Sequence, residues 1–160
     1  MTLGPGDTSS SSIEFHRKTA VICFNKTWDF LDKKERTREE DLKMLDEAHT
    51  SRYHWTQIGT AHNFAIGDWQ ISRVYAALNQ PVLALLYAQS SLDLCEKNNL
   101  KDLLPSAYEG MSRAYAVAND AAEARRFLQM ARKQLEQVKD EEDRKAYDQQ
   151  MHETEALITK

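Results

Sequence analysis

The sequence has little glycine and proline, with 5 and 3 of these residues in a chain of 160. It therefore offers few of the residues that shape tight turns and separate short strands. Alanine, leucine, glutamate, lysine and other helix-favouring residues are abundant instead. This composition predicts an all-α chain, and the length fits one domain with a sizeable core.

The chain also has few cysteines, no long apolar run and no excess of positive charge. Cys23 and Cys95 are far apart and lack the paired spacing of metal ligands, so we expect two buried free thiols. No apolar run approaches the roughly 20 residues that span a bilayer, and the N-terminus lacks signal-peptide order. We therefore expect a cytoplasmic protein. The net charge of −4 argues against nucleic acid or an anionic membrane as partner.

The first 12 residues, MTLGPGDTSSSS, are small and polar and show no apolar periodicity. They predict a disordered tail over residues 1–12, followed by a single domain over residues 13–160. A serine or threonine three residues before a glutamate then marks two helix starts, and a Gly-Thr pair marks a third. The expected N-caps are Ser11, Thr37 and Thr60, with helix ends near Tyr53 and Ala77.

An internal repeat is the clearest pattern in the chain. Residues 71–80 (ISRVYAALNQ) align without gaps on residues 111–120 (MSRAYAVAND), and five of the ten positions are identical. The same offset of 40 continues into the following segments, where Ala84 pairs with Ala124 and Tyr87 with Phe127. The repeat predicts two copies of one structural unit that lie side by side.

Each copy has the pattern of a helix, a tight turn and a second helix. The turn is Asn79 to Pro81 in the first copy and Asn119 to Asp120 in the second. The second helix of the first copy, from about Val82 to Cys95, is apolar nearly all round, so we expect it to be covered on several sides. A last segment, residues 141–158, suits a terminal capping helix.

The second copy resembles a tetratricopeptide repeat. That family's pattern of Trp, Leu-Gly, Tyr, Ala and Phe is matched by Tyr108, Met111-Ser112, Tyr115, Ala124 and Leu128. The first copy matches less fully, and the offset of 40 exceeds the usual period of 34. The resemblance implies a right-handed stack of antiparallel helix pairs, an α-α superhelix of about seven helices. The N-terminal helices would form a degenerate first pair.

In proteins of this family, the first helices of the pairs line a concave groove that holds a peptide or partner helix. By position, the groove residues here would include Trp69, Arg73, Glu109 and Arg113. The two arginines are equivalent in the repeat, so they should lie side by side and be able to bind an acidic group. Alternatively, they pair with neighbouring acids such as Asp68 and Glu109 and hold the stack together.

A second cluster of polar residues surrounds His49, which interrupts the apolar stripe of its helix. We interpret His49 as a hydrogen-bonded core or groove histidine that contributes to partner binding. The alternative is a small metal-dependent or ligand-binding enzyme centred on His49, His54 and His62. The five-residue spacing of His49 and His54 is unlike the four-residue spacing of paired zinc ligands on a helix.

The resemblance and the absence of a catalytic motif predict a binding protein and not an enzyme. We expect a protein- or peptide-binding helical-repeat adaptor that needs no cofactor and no metal. Its partner would be a protein or peptide segment, with acidic character if the two arginines contact it. A third hypothesis is self-association, with the groove of one copy occupied by another.

Overall fold

The computed structural model describes residues 9–158, and the regular secondary structure of this part of the chain is helical, without strands. Seven α-helices follow one another, with a short 3₁₀ turn at Lys101–Leu103 before the fifth. None of these helices is long and apolar enough to cross a membrane. The helices are α1 (Ser10–Leu31), α2 (Arg38–Ile58), α3 (Ala61–Ala77), α4 (Pro81–Lys97), α5 (Leu104–Val117), α6 (Ala121–Leu135) and α7 (Glu141–Ile158).

The helix starts reflect local capping chemistry. Thr37 and Glu40 form the reciprocal capping box that their spacing predicts, and Asp120 accepts a hydrogen bond from the backbone of Glu123. The first start differs from the prediction, because Ser9 and not Ser11 caps α1. Residues 10–12, predicted as part of the tail, are therefore helical, and residues 1–8 of that tail lie outside the described residues.

Consecutive helices pack as three pairs, α1 with α2, α3 with α4 and α5 with α6. Each pair is joined by a short connection that reverses the chain, so its two helices run antiparallel. The pairs then contact one another mainly through α2–α3, α4–α5 and α3–α5, and α7 packs on α5 and α6. The prediction of an all-α chain of about seven helices arranged in adjacent pairs is confirmed.

The two copies of the repeat have the same local conformation. Ser72 Oγ donates to the Ala84 carbonyl over 2.7 Å, and Ser112 Oγ donates to the Ala124 carbonyl over the same distance. At both turns an asparagine takes a positive φ, 53° at Asn79 and 61° at Asn119. Asparagine tolerates this left-handed conformation better than most residues. Identical side chains therefore make identical contacts 40 residues apart.

Equivalent aromatic pairs continue this correspondence across each hairpin. Tyr75 and Tyr87 stack with centroids 5.7 Å apart, and Tyr115 and Phe127 stack at 5.6 Å. As expected, α4 is covered on more than one side, by α3 and α5, but Val82 and Leu86 on its remaining face are 78% and 60% exposed. The packed side of α4 consists of small residues and leucines, including Ala84, Ala88 and Leu92.

Candidate functional site

The residues that could contact a partner gather on the side of the stack formed by α1, α3, α5 and α7. A pocket of about 250 Å³, which we call the central pocket, opens there. Its aromatic lining comes from three of these helices, with Phe24 and Trp28 from α1, Trp69 from α3 and Tyr147 from α7. Ile66 of α3 and Leu103 of the 3₁₀ turn add to the apolar lining. Residues more than 100 positions apart in the chain therefore enclose one space.

The aromatic side chains of the central pocket support one another. The rings of Trp28 and Trp69 lie 5.7 Å apart at an angle of 45°, and Phe24 meets Trp28 edge-on at 6.5 Å. Trp69 is 8% exposed and donates its ring N–H to Glu109 over 3.1 Å, which fixes the orientation of the indole. Rings held in this way present a preformed apolar surface.

A smaller pocket of about 150 Å³ continues the apolar surface toward the start of α3. Val21, Trp55 and Asn63 line it, and it shares Phe24 and Ile66 with the central pocket. The two pockets therefore form one groove along α3, which we call the aromatic groove.

At its other end, the aromatic groove borders a buried cluster of charges. Arg73 and Arg113 lie side by side, as the repeat predicts, and both approach the same oxygen of Glu109, at 3.9 Å and 2.9 Å. Glu153 of α7 also contacts both, at 2.7 Å from Arg73 and 3.7 Å from Arg113. The four charges sum to zero.

Glu109 is the centre of this cluster and is 1% exposed. It accepts hydrogen bonds from Trp69, from Arg113 Nε over 2.9 Å and from Thr154 Oγ1 over 2.6 Å. Burial by itself would raise the pKa of Glu109. The charges of Arg113 and Arg73 lower this pKa by a larger amount, so the net shift is downward. The carboxylate is thus held ionised inside the protein by the two guanidinium groups.

Arg73 connects the charge cluster to the aromatic groove. Its guanidinium carbon lies 5.1 Å from the centroid of the Trp28 ring and 6.0 Å from that of Trp69, within cation–π range. Its side chain is 13% exposed, and burial followed by the charge of Arg113 lowers the pKa of Arg73. The arginines thus pair with Glu109, as one interpretation of the sequence expected, but not with Asp68, which pairs with Arg52 over 2.8 Å. Arg73 also lies beside the groove, so its contact with a partner stays a prediction.

Sequence reasoning missed Trp28, Glu153 and Thr154, which come from α1 and α7. These helices lie outside the internal repeat, so no matching position pointed to them. The signal available for α7 was a polar stripe, Gln150, Glu153 and Thr154, with the spacing that places residues on one helix face.

His49 lies elsewhere in the stack, in the contacts of α2 with α3 and α4. Its Nε2 atom is 2.9 Å from the hydroxyl of Tyr75, and its ring meets the ring of Tyr87 edge-on at 5.7 Å. Burial lowers the pKa of His49, and Asp46 and Asp68 oppose that shift. These contacts are those of a hydrogen-bonded core histidine. His49 does not line either pocket of the aromatic groove, and its contribution to partner binding stays a prediction.

The other two histidines of the alternative hypothesis have separate partners. His54 pairs with His16 through ring nitrogens 2.8 Å apart, and His62 pairs with Asp102 over 2.9 Å at the surface. Within residues 9–158, no group of three or more histidine, cysteine or acidic side chains is arranged to hold a metal ion. The structure thus does not bring His49, His54 and His62 together.

Comparison of the chain with models of protein families, with curated proteins and with solved structures finds no match.

Proposed function

We propose that this protein is a tetratricopeptide-like helical-repeat adaptor that binds a protein or peptide segment in the aromatic groove. The three helix pairs and the terminal α7 would form a right-handed superhelix, in which α1, α3, α5 and α7 line the inner face. The resemblance of residues 111–128 to the family pattern supports this superhelix, and so does the shared geometry of the two repeat copies. The protein acts by binding in the cytoplasm, without catalysis or cofactor.

The central pocket is the observation that carries the proposal. A pocket of about 250 Å³ lined by four aromatic rings and continuous with a second depression exceeds what core packing requires. Its volume suits individual apolar side chains of a bound segment. Trp69, held by Glu109, is the apolar anchor.

The arginine pair acts at one end of the groove. Arg73 and Arg113 already contact Glu153, whose side chain is 45% exposed and able to leave. An acidic residue of the partner would replace Glu153 against the two guanidinium groups. Glu109 is buried beneath them and contributes by holding them in place.

A peptide selection tests the proposal directly. A displayed library of extended peptides is selected on the purified protein, and the affinities of the selected peptides are measured by calorimetry. The variant Phe24→Asp places a charge between the two pockets of the groove. We expect it to lower the affinity for the selected peptides by about tenfold or more, equivalent to about 1.4 kcal/mol.

The matched control is Phe15→Asp, which makes the same change on the same helix at a side chain that is 62% exposed. It should leave the affinities unchanged, and circular dichroism should show equal helix content in both variants. Equal binding to wild type and Phe24→Asp, or a loss of binding with Phe15→Asp alone, would show that the groove is not the binding surface.

A further inference from the structure

Two histidines on neighbouring helices point the same ring atom at each other. His16 of α1 and His54 of α2 bring their Nδ1 atoms to 2.8 Å, and their ring centroids are 5.0 Å apart. At this distance one Nδ1 atom bears a proton and donates it to the other. When that ring moves its proton to Nε2, both Nδ1 atoms carry a free lone pair. The two lone pairs of such rings would converge on one point between the helices.

Neighbouring aromatic side chains keep these two histidine rings in place. Phe15 meets both rings edge-on at 5.8 Å, and Tyr53 meets His54 at 5.6 Å. A neutral imidazole is the form that binds metal ions.

Both histidines are half-buried, so an ion can reach them and water can complete its coordination. A zinc ion with bonds of about 2.0–2.1 Å and tetrahedral angles needs its two nitrogens about 3.3 Å apart, so the rings must separate by about half an ångström. Small rotations of two side chains on different helices provide that movement.

We propose that His16 and His54 form a two-histidine site for a nitrogen-seeking divalent transition-metal ion, which links α1 to α2. The ion has two protein ligands, and water molecules occupy its other coordination positions. Within residues 9–158, no third histidine, cysteine or acidic side chain joins this pair to form a metal-binding group. Two imidazoles without a carboxylate favour copper, nickel and zinc, and they disfavour magnesium and calcium, which require oxygen ligands. This site is separate from the aromatic groove and does not depend on the proposed function.

Calorimetric titration of the untagged protein with Cu²⁺ and Zn²⁺ tests the proposal. We expect one ion per chain, no binding of Mg²⁺, and a higher Tm in the presence of the bound ion. His16→Ala and His54→Ala should each weaken binding by about tenfold or more, because the second ligand no longer acts at high effective concentration. The electron paramagnetic resonance spectrum with Cu²⁺ should show coupling to two nitrogens in wild type and to one in each variant.

Two further variants separate metal binding from a plain hydrogen bond. His54→Gln retains a side chain that can hydrogen-bond to His16, so it should keep the stability of the metal-free protein and lose the ion. His62→Ala removes an exposed histidine elsewhere and should bind as wild type does. The proposal fails if wild type shows no saturable binding of the ion. It also fails if His54→Gln binds the ion as tightly as wild type. Either result would mean that His16 and His54 form only a hydrogen-bonded pair.

Discussion

Replacing Glu109 with glutamine removes the central negative charge of the buried cluster while nearly preserving the size of the side chain. Thr154 and Arg113 donate to one oxygen of Glu109, and Trp69 donates to the other. A glutamine can keep its oxygen toward Arg113 and Thr154. Its NH₂ group then faces the N–H of Trp69, so two donors oppose each other and one hydrogen bond is lost.

The cost has two parts. A buried donor left without an acceptor costs about 1–3 kcal/mol. Arg73 and Arg113, at 13% and 12% side-chain exposure, also lose the anion between them, and breaking a buried ion pair costs about 3–5 kcal/mol in total. Because the two parts overlap, we expect Glu109→Gln to lower the free energy of unfolding by about 3–5 kcal/mol. For a domain of this size, that corresponds to a fall in Tm of about 6–20 °C.

Thermal and urea unfolding followed by circular dichroism measure this effect. Glu123→Gln is the matched control, since Glu123 also makes hydrogen bonds to an arginine, Arg126, but at the protein surface. Its effect on stability should be small, because solvent screens an exposed pair. A fall in Tm of less than about 3 °C for Glu109→Gln would refute the reasoning that the buried charge holds the cluster together.

Acid unfolding adds a second readout of the same residue. The pKa of Glu109 is lower in the folded protein than in the unfolded chain, where it is about 4.3. Its contribution to stability is therefore complete above that pH and is lost as the pH falls from about 4.3 through the folded pKa. Wild type should lose stability in this window, and Glu109→Gln should lose less, because glutamine does not titrate.

Two further predictions concern the hairpin turns and the thiols. Asn119→Val should destabilise the protein by about 1–2 kcal/mol in urea unfolding, because a β-branched residue tolerates the positive φ at this turn poorly, and Asn119→Gly should have little effect. Burial raises the pKa of Cys23 to about 11 and that of Cys95 to about 12, so both thiols should react with a disulfide reagent at pH 8 only after denaturation. Cys23 and Cys95 are free and only 8% and 1% exposed, so fast labelling of either thiol in the native protein would contradict this burial.

Local chemistry predicted much of the helical organisation. The capping box at Thr37 and Glu40, the proline that begins α4 and the asparagine turns depend on neighbours within a few residues, so their patterns are visible in the sequence. The internal repeat predicted that Arg73 and Arg113 lie together, because two equal hairpins that stack place equal positions side by side.

The end of α2 shows a limit of local reasoning. The helix continues to Ile58, beyond the predicted end near Tyr53, because the segment from Tyr53 to Trp55 has no residue that stops a helix. Histidine, tyrosine and tryptophan are neutral in helix propensity, so packing against other helices decides whether the helix continues through them.

Tertiary structure alone decided which residues share a site. Trp28 and Tyr147 reach the same pocket from opposite ends of the chain, and Glu153 approaches Arg73 across 80 positions. Such contacts depend on the angles at which α1 and α7 pack on the central repeat, and those angles result from the sum of many side-chain contacts. The sequence pattern of a helix shows which of its faces is apolar. Which other helix that face contacts is decided only when the helices pack.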